Sequence, residues 1–133
     1  MTPKIRTRIL VIVVVVAVFT LFTSRPVRSP QFDSKLPESI EFIVWGERIA
    51  LLTNVSGIMT VLTAGKAVRA HDCTPAGQFV LRYSGGRRAE VWLQPGHHED
   101  QYEFVYDGYF SIPRSAFIST LRSAGVDETK IPR

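Results

Sequence analysis

The sequence predicts an α+β protein: an N-terminal transmembrane helix, then a mainly antiparallel β-sheet with two helices packed on one face. Three observations lead there. Apolar residues alternate through several short stretches separated by turn residues; in residues 78–83, for instance, Phe79, Leu81 and Tyr83 fall on one side. Two other stretches repeat at helical spacing, one early and one late. Finally, the run from Ile9 to Phe22, ILVIVVVVAVFTLF, holds no charge, proline or glycine.

That apolar run divides the chain. As a helix it spans about 21 Å, short of a hydrocarbon core of about 30 Å, but Thr23 and Ser24 with Arg8 and Arg25 snorkelling at its ends make a span possible. Val18 and Thr20 make a poor signal-peptidase site, which argues for an uncleaved signal anchor over 9–24. Lys4, Arg6 and Arg8 precede the run, against Arg25 and Arg28 after it. The positive-inside rule therefore puts residues 1–8 in the cytoplasm as a basic tail. The protein is then expected to be single-pass in the inner or plasma membrane, with its domain periplasmic or extracellular. Residues 25–38, with Pro26, Pro30, Pro37, Ser29 and Ser34, read as an extended linker, and residues 39–133 as the domain.

Within the domain, residues 39–45 and 48–53 alternate as two strands around a turn at Gly46-Glu47. A helix follows, with Asn54 as N-cap, Ile58, Val61 and Leu62 on one face and Gly65 as the stop. Residues 66–70, 78–83, 87–93 and 101–106 are expected to form a meander with a turn at Gly85-Gly86. Asp107-Gly108 fits a two-residue type I′ turn into residues 109–112. The last helix starts near Pro113, carries Phe117, Leu121 and Ala124 inward, and ends at Gly125-Val126 in a Schellman-type stop.

Charge narrows the function. The chain carries a formal +4, but its first eight residues hold three basic side chains and no acid. The rest sets 13 lysines and arginines against 12 aspartates and glutamates. A domain so nearly neutral lacks the basic stripe that phosphate neutralisation needs, so nucleic acid is excluded as a partner. No G-x-S-x-G, phosphate-binding glycine loop, H-E-x-x-H or C-x-x-C is present, which leans against an enzyme. Glu99-Asp100 is a solvated acidic pair in a loop, and the Asn54-Val55-Ser56 sequon is better explained by helix capping. Cys73 is the only cysteine, so no internal disulfide forms.

Two features remain. If the meander holds, the loops His71-Asp72-Cys73 and His97-His98-Glu99-Asp100 fall at the same end of the sheet, about 10 Å apart. His71, Cys73 and His97 or His98 then converge, and a thiolate with two imidazoles suits zinc or copper. Separately, the face opposite the helices carries Ile43, Trp45, Val80, Trp92 and Val105 with Glu41, Arg82, Glu90 and Glu103 among them. Two tryptophans among mixed charges resemble a protein interface, with another envelope protein or a second copy of the chain. The first expectation for function is thus a membrane-anchored, non-enzymatic accessory or binding subunit; the alternative is an exported metal-binding or thiol-dependent module.

Overall fold

Alternation sets the sheet. In β1 (Ser39–Val44) Ile40, Phe42 and Val44 are buried, while Ser39, Glu41 and Ile43 are only partly covered. The same period runs through β4 (Gly77–Arg82), β5 (Arg88–Pro95) and β6 (Gln101–Val105), placing Phe79, Leu81, Val91, Leu93, Tyr102 and Phe104 in one core cluster. With β2 (Glu47–Leu52), β3 (Lys66–Ala67) and β7 (Tyr109–Pro113) they form one antiparallel seven-stranded sheet, ordered β2-β1-β4-β5-β6-β7-β3. A computed structural model provides these coordinates, which describe residues 28–133.

The two helices cover one face. α1 (Ser56–Thr63) buries Ile58, Met59 and Leu62, and α2 (Arg114–Ser123) buries Phe117 and Leu121, all in the same cluster as the strands' inward residues. Phe117 stacks on Tyr102 at 4.2 Å. Burial raises the Tyr102 phenol above its ordinary pKa, and its hydroxyl donates to the Pro132 carbonyl at 3.2 Å. α2 stops as its sequence foretells: Gly125 takes φ +90°, Gly125 N–H donates to Arg122 O and Val126 N–H to Leu121 O, the Schellman pattern.

Several local expectations need correction. The strand expected over 66–70 is only Lys66–Ala67, and it pairs with β7 rather than with β4, so the meander begins at β4. Val55, not Asn54, occupies the N-cap of α1, and no side chain caps it; Asn54 Oδ1 instead accepts from the Ser56 hydroxyl at 3.3 Å. Val105 pairs with Tyr109, which makes the loop three residues long, Tyr106 to Gly108, rather than a two-residue turn. The two-residue turn lies at Trp45-Gly46, between paired Val44 and Glu47, with φ of +50° and +82° as a type I′ turn requires.

Residues 28–38 have no regular structure but lie along the helix side. Phe32 stacks on Tyr106 at 4.3 Å, Asp33 pairs with Arg87 at 2.8 Å, and Glu38 N–H donates to Arg82 O at 2.7 Å. The anchor expected over 9–24, the tail before it and residues 25–27 lie outside the described residues. Among the described residues no helix is long and apolar enough to cross a membrane.

With β3 at the far edge, residues 68–76 must cross from β7 back to β4, and they do so over the face that the helices leave open. Val68 N–H donates to Tyr109 O at 2.9 Å at one end, and Ala76 N–H to Leu93 O at 2.9 Å at the other. This strap carries His71 and Cys73.

Candidate metal centre

Beneath the strap, Gln94 on β5 and Glu103 on β6 stand directly opposite each other. They are 3% and 7% exposed, the buried polar residues of the domain. Leu93 and Phe104 beside them point to the core, so alternation turns Gln94 and Glu103 to the opposite face, where the strap covers them. Gln94 Nε2 donates to the Cys73 carbonyl at 2.9 Å, which fixes the height of the strap above the sheet. Glu103 Oε2 lies 2.9 Å from His71 Nε2, without the alignment of a hydrogen bond.

The third member comes from the β5–β6 loop. Gly96 follows the last residue of β5, and a Cβ there would stand 2.6 Å from the Gln101 carbonyl oxygen, so only glycine permits so tight a closure. Gln101 N–H donates to His98 O at 3.1 Å across the same loop. The result brings His97 Nε2 to 3.2 Å from Cys73 Sγ and stacks the His97 ring edge-on to His71, centroids 4.6 Å apart.

One donor atom from each of His71, Cys73 and His97 lies within 4.8 Å of the others. An ion with bonds of about 2.0–2.3 Å spaces its tetrahedral ligands about 3.3–3.8 Å apart, so roughly 1 Å of movement closes the set. His71 and Cys73 are half-buried and His97 is exposed, which leaves the group reachable from solvent. The donors, a thiol and two imidazoles, are those of zinc and copper sites. His98 is not among them: it is exposed and lies outside the group, its carbonyl engaged by Gln101.

His71 has both ring nitrogens next to acceptors. Nδ1 is 3.1 Å from the Arg69 carbonyl, in an exposed contact, and Nε2 faces the buried Glu103. A nitrogen that binds an ion gives up its neighbour. Losing the solvent-side contact is the cheaper exchange, because water replaces it.

Comparison with family models, with curated proteins and with solved structures yields no match. The site is read from its own geometry.

Of the candidate interface residues, Trp45 is 74% and Trp92 41% exposed, Ile43 and Val105 are half-buried, and Val80 is 2% exposed. Trp45, Trp92, Ile43 and Gln78 line a shallow cleft of about 280 Å³ whose other wall is Pro75-Ala76, the end of the strap, with Gly77 of β4. Around Val80 the face is ionic: Glu41 pairs with Arg82 at 3.0 Å and Arg48 at 3.6 Å, and the Arg82 hydrogen bond lowers the Glu41 pKa.

Gln94 and Glu103 are the site residues that sequence reasoning did not single out. By sequence Glu103 reads as one of the charges of the open face, and nothing in residues 68–76 announces that they cover it.

Proposed function

We propose that the domain is a metal-binding module that holds zinc or copper through His71, Cys73 and His97. The observation that carries this reading is the convergence of three soft or borderline donors, from two separate loops, within 4.8 Å. Two of them ride on the strap and one on the β5–β6 loop, so an ion there staples the strap to the sheet. The chain's anchor and placement outside the cytoplasm belong to the proposal through the apolar run at 9–22 and its basic flank.

Metal analysis tests it. The full chain, purified without chelator and then supplied with zinc or cuprous copper, is expected to retain a stoichiometric ion after gel filtration. Cys73→Ser and His97→Ala are expected to lose it with the fold intact by circular dichroism. Retention of equal metal by Cys73→Ser would end this reading.

A second reading, an accessory subunit docking another envelope protein through the Trp45–Trp92 face, is favoured by one observation. Trp45 is a bulky residue held at positive φ and 74% exposed, a strained arrangement that presents an aromatic ring to solvent. Cross-linking of the full chain in its membrane tests it: Trp45→Ala is expected to abolish capture of a neighbour, and unchanged capture would remove the face from consideration.

A further inference from the structure

The buried carboxylate beside the donor set has no role in the three-ligand description, and its charge bears on which ion the centre accepts. Glu103 has a side chain only 10% exposed, pairs with no lysine or arginine among the described residues, and has its Oε2 against His71. Its opposite neighbour Gln94 is neutral and also buried, with Oε1 lacking a partner. A ligating Cys73 adds a second negative charge. A divalent cation balances thiolate and carboxylate together, whereas a monovalent one leaves a net negative charge partly withdrawn from water, which burial penalises.

We propose that Glu103 biases this centre toward a divalent ion, zinc, against cuprous copper. The proposal rests on the metal-centre reading above. Glu103 acts as a positioning residue: its Oε2 stands 2.9 Å from His71 Nε2 and outside the group of donors, where a small turn of the ring would let Nε2–H donate to it and leave the other ring nitrogen for an ion. Carboxylates that orient a ligating imidazole in this way raise its basicity and fix its tautomer. Their charge also attracts a dication more strongly than a monocation at the same distance. Glu103 thus contributes both geometry and ion preference, and only the second separates the two ions.

The experiment measures zinc and reduced-copper affinities of the full chain by competition with chromophoric chelators, for the wild type, Glu103→Gln and Glu103→Asp. Glu103→Gln keeps size and a hydrogen-bond acceptor but loses the charge. Its zinc affinity is expected to fall about 10–100-fold while its cuprous affinity falls far less, so the zinc-to-copper ratio drops about tenfold or more. Glu103→Asp, which keeps the charge, is expected to preserve the wild-type ratio. Equal losses for both ions in Glu103→Gln would mean a merely structural role and overturn the proposal, as would no loss at all. If Glu103→Gln fails to fold by circular dichroism, a ratio changed in Glu103→Asp overturns it and an unchanged ratio supports it. A wild type that binds neither ion overturns the metal centre itself, an outcome distinct from binding without selection.

Discussion

The two faces of the sheet are covered by different chemistry. On one face, α1 and α2 bring Ile58, Leu62, Phe117 and Leu121 into one cluster with Phe42, Phe79 and Phe104, and the polar atoms buried in that cluster are few: the Tyr102 hydroxyl, which donates to Pro132 O, and the Tyr83 hydroxyl, which lacks a partner. On the other, a nine-residue strap without regular structure lies over Gln94 and Glu103, and the contacts it makes are a hydrogen bond, an ion contact and a cluster of histidines and cysteine. The helix face can be stable by burial alone. The strap face encloses polar atoms that burial penalises, and His71 Nε2, Gln94 Oε1 and Glu103 Oε2 all lack a hydrogen-bond partner. An ion bound as proposed would stabilise such an element by joining strap and loop. On the proposed reading, the same polymer uses one face to fold and keeps the other for an ion.

The largest separation between the faces should appear in Phe79→Ala. Phe79 is fully buried between Phe42, at 5.2 Å, and Phe117, at 6.1 Å. Truncation there is expected to remove about 3–5 kcal/mol in denaturant unfolding. Metal affinity of the protein that remains folded should not change. A comparable loss of affinity would mean that the two faces are not independent.

Next in size is the effect of the ion. At a free concentration about 100-fold above its dissociation constant, a ligand that binds only the folded state stabilises it by about 2.7 kcal/mol. Thermal unfolding with and without zinc should show this gain in the wild type and none in Cys73→Ser. Hydrogen exchange should locate the added protection at the amides of Val68 and Ala76, which bond to Tyr109 O and Leu93 O at the strap's two ends. Protection spread evenly over α1 and α2 would erase the distinction between the faces.

A smaller effect is expected from Gln94→Ala, which removes the donor to the Cys73 carbonyl and leaves Glu103 without its neighbour. The loss should be about 1–2 kcal/mol, the ordinary consequence of unpairing a part-buried acceptor. Zinc should bind more weakly as well, because Cys73 is no longer held at its height. Lost stability with unchanged affinity would assign Gln94 to the fold and not to the site.

How legible each face was in the sequence follows from this contrast. The helix face was readable because burial imposes a period: two along Phe79-Leu81 and Val91-Leu93, and near four along Phe117-Leu121. Even the assignment of Trp92 and Val105 to the opposite face followed from parity. The strap was not readable, since residues 68–76 have no period and their path depends on β3 pairing with β7, a choice that a two-residue strand cannot advertise. The convergence of His71, Cys73 and His97 was expected from a meander in which β3 lay beside β4. The atoms do meet, but because the strap crosses the sheet, not because two turns share an end. Glu103 and Gln94 escaped notice for the same reason: a polar residue on an open face is unremarkable until a segment covers it. Asp107-Gly108 misled more locally, where turn propensity lost to the register that pairs Val105 with Tyr109, and Asn54 because its side chain bonds the Ser56 hydroxyl instead of capping α1.

The smallest predicted effect concerns the helix side, where residues 28–38 run along the sheet as the strap does on the other face, but with their ionic contact fully at the surface. Asp33 accepts from Lys35 N–H at 3.0 Å and pairs with Arg87 at 2.8 Å, and these hydrogen bonds, the backbone one foremost, hold its pKa below 3.8. A depressed folded-state pKa contributes stability that is present above the unfolded value and is lost as pH falls through the folded one. Asp33→Asn should therefore melt slightly below the wild type at pH 7, and the two should coincide well below pH 3.8, where Asp33 is protonated in both states. Because every other carboxylate titrates alike in the two proteins, the difference between their melting curves isolates this one. The gap at pH 7 should also shrink in high salt, since the pair is exposed and screened. A gap that persists unchanged in strong acid would show that Asp33 acts through packing of the 28–38 segment, and the segment would then resemble the strap more closely than its surface contacts imply.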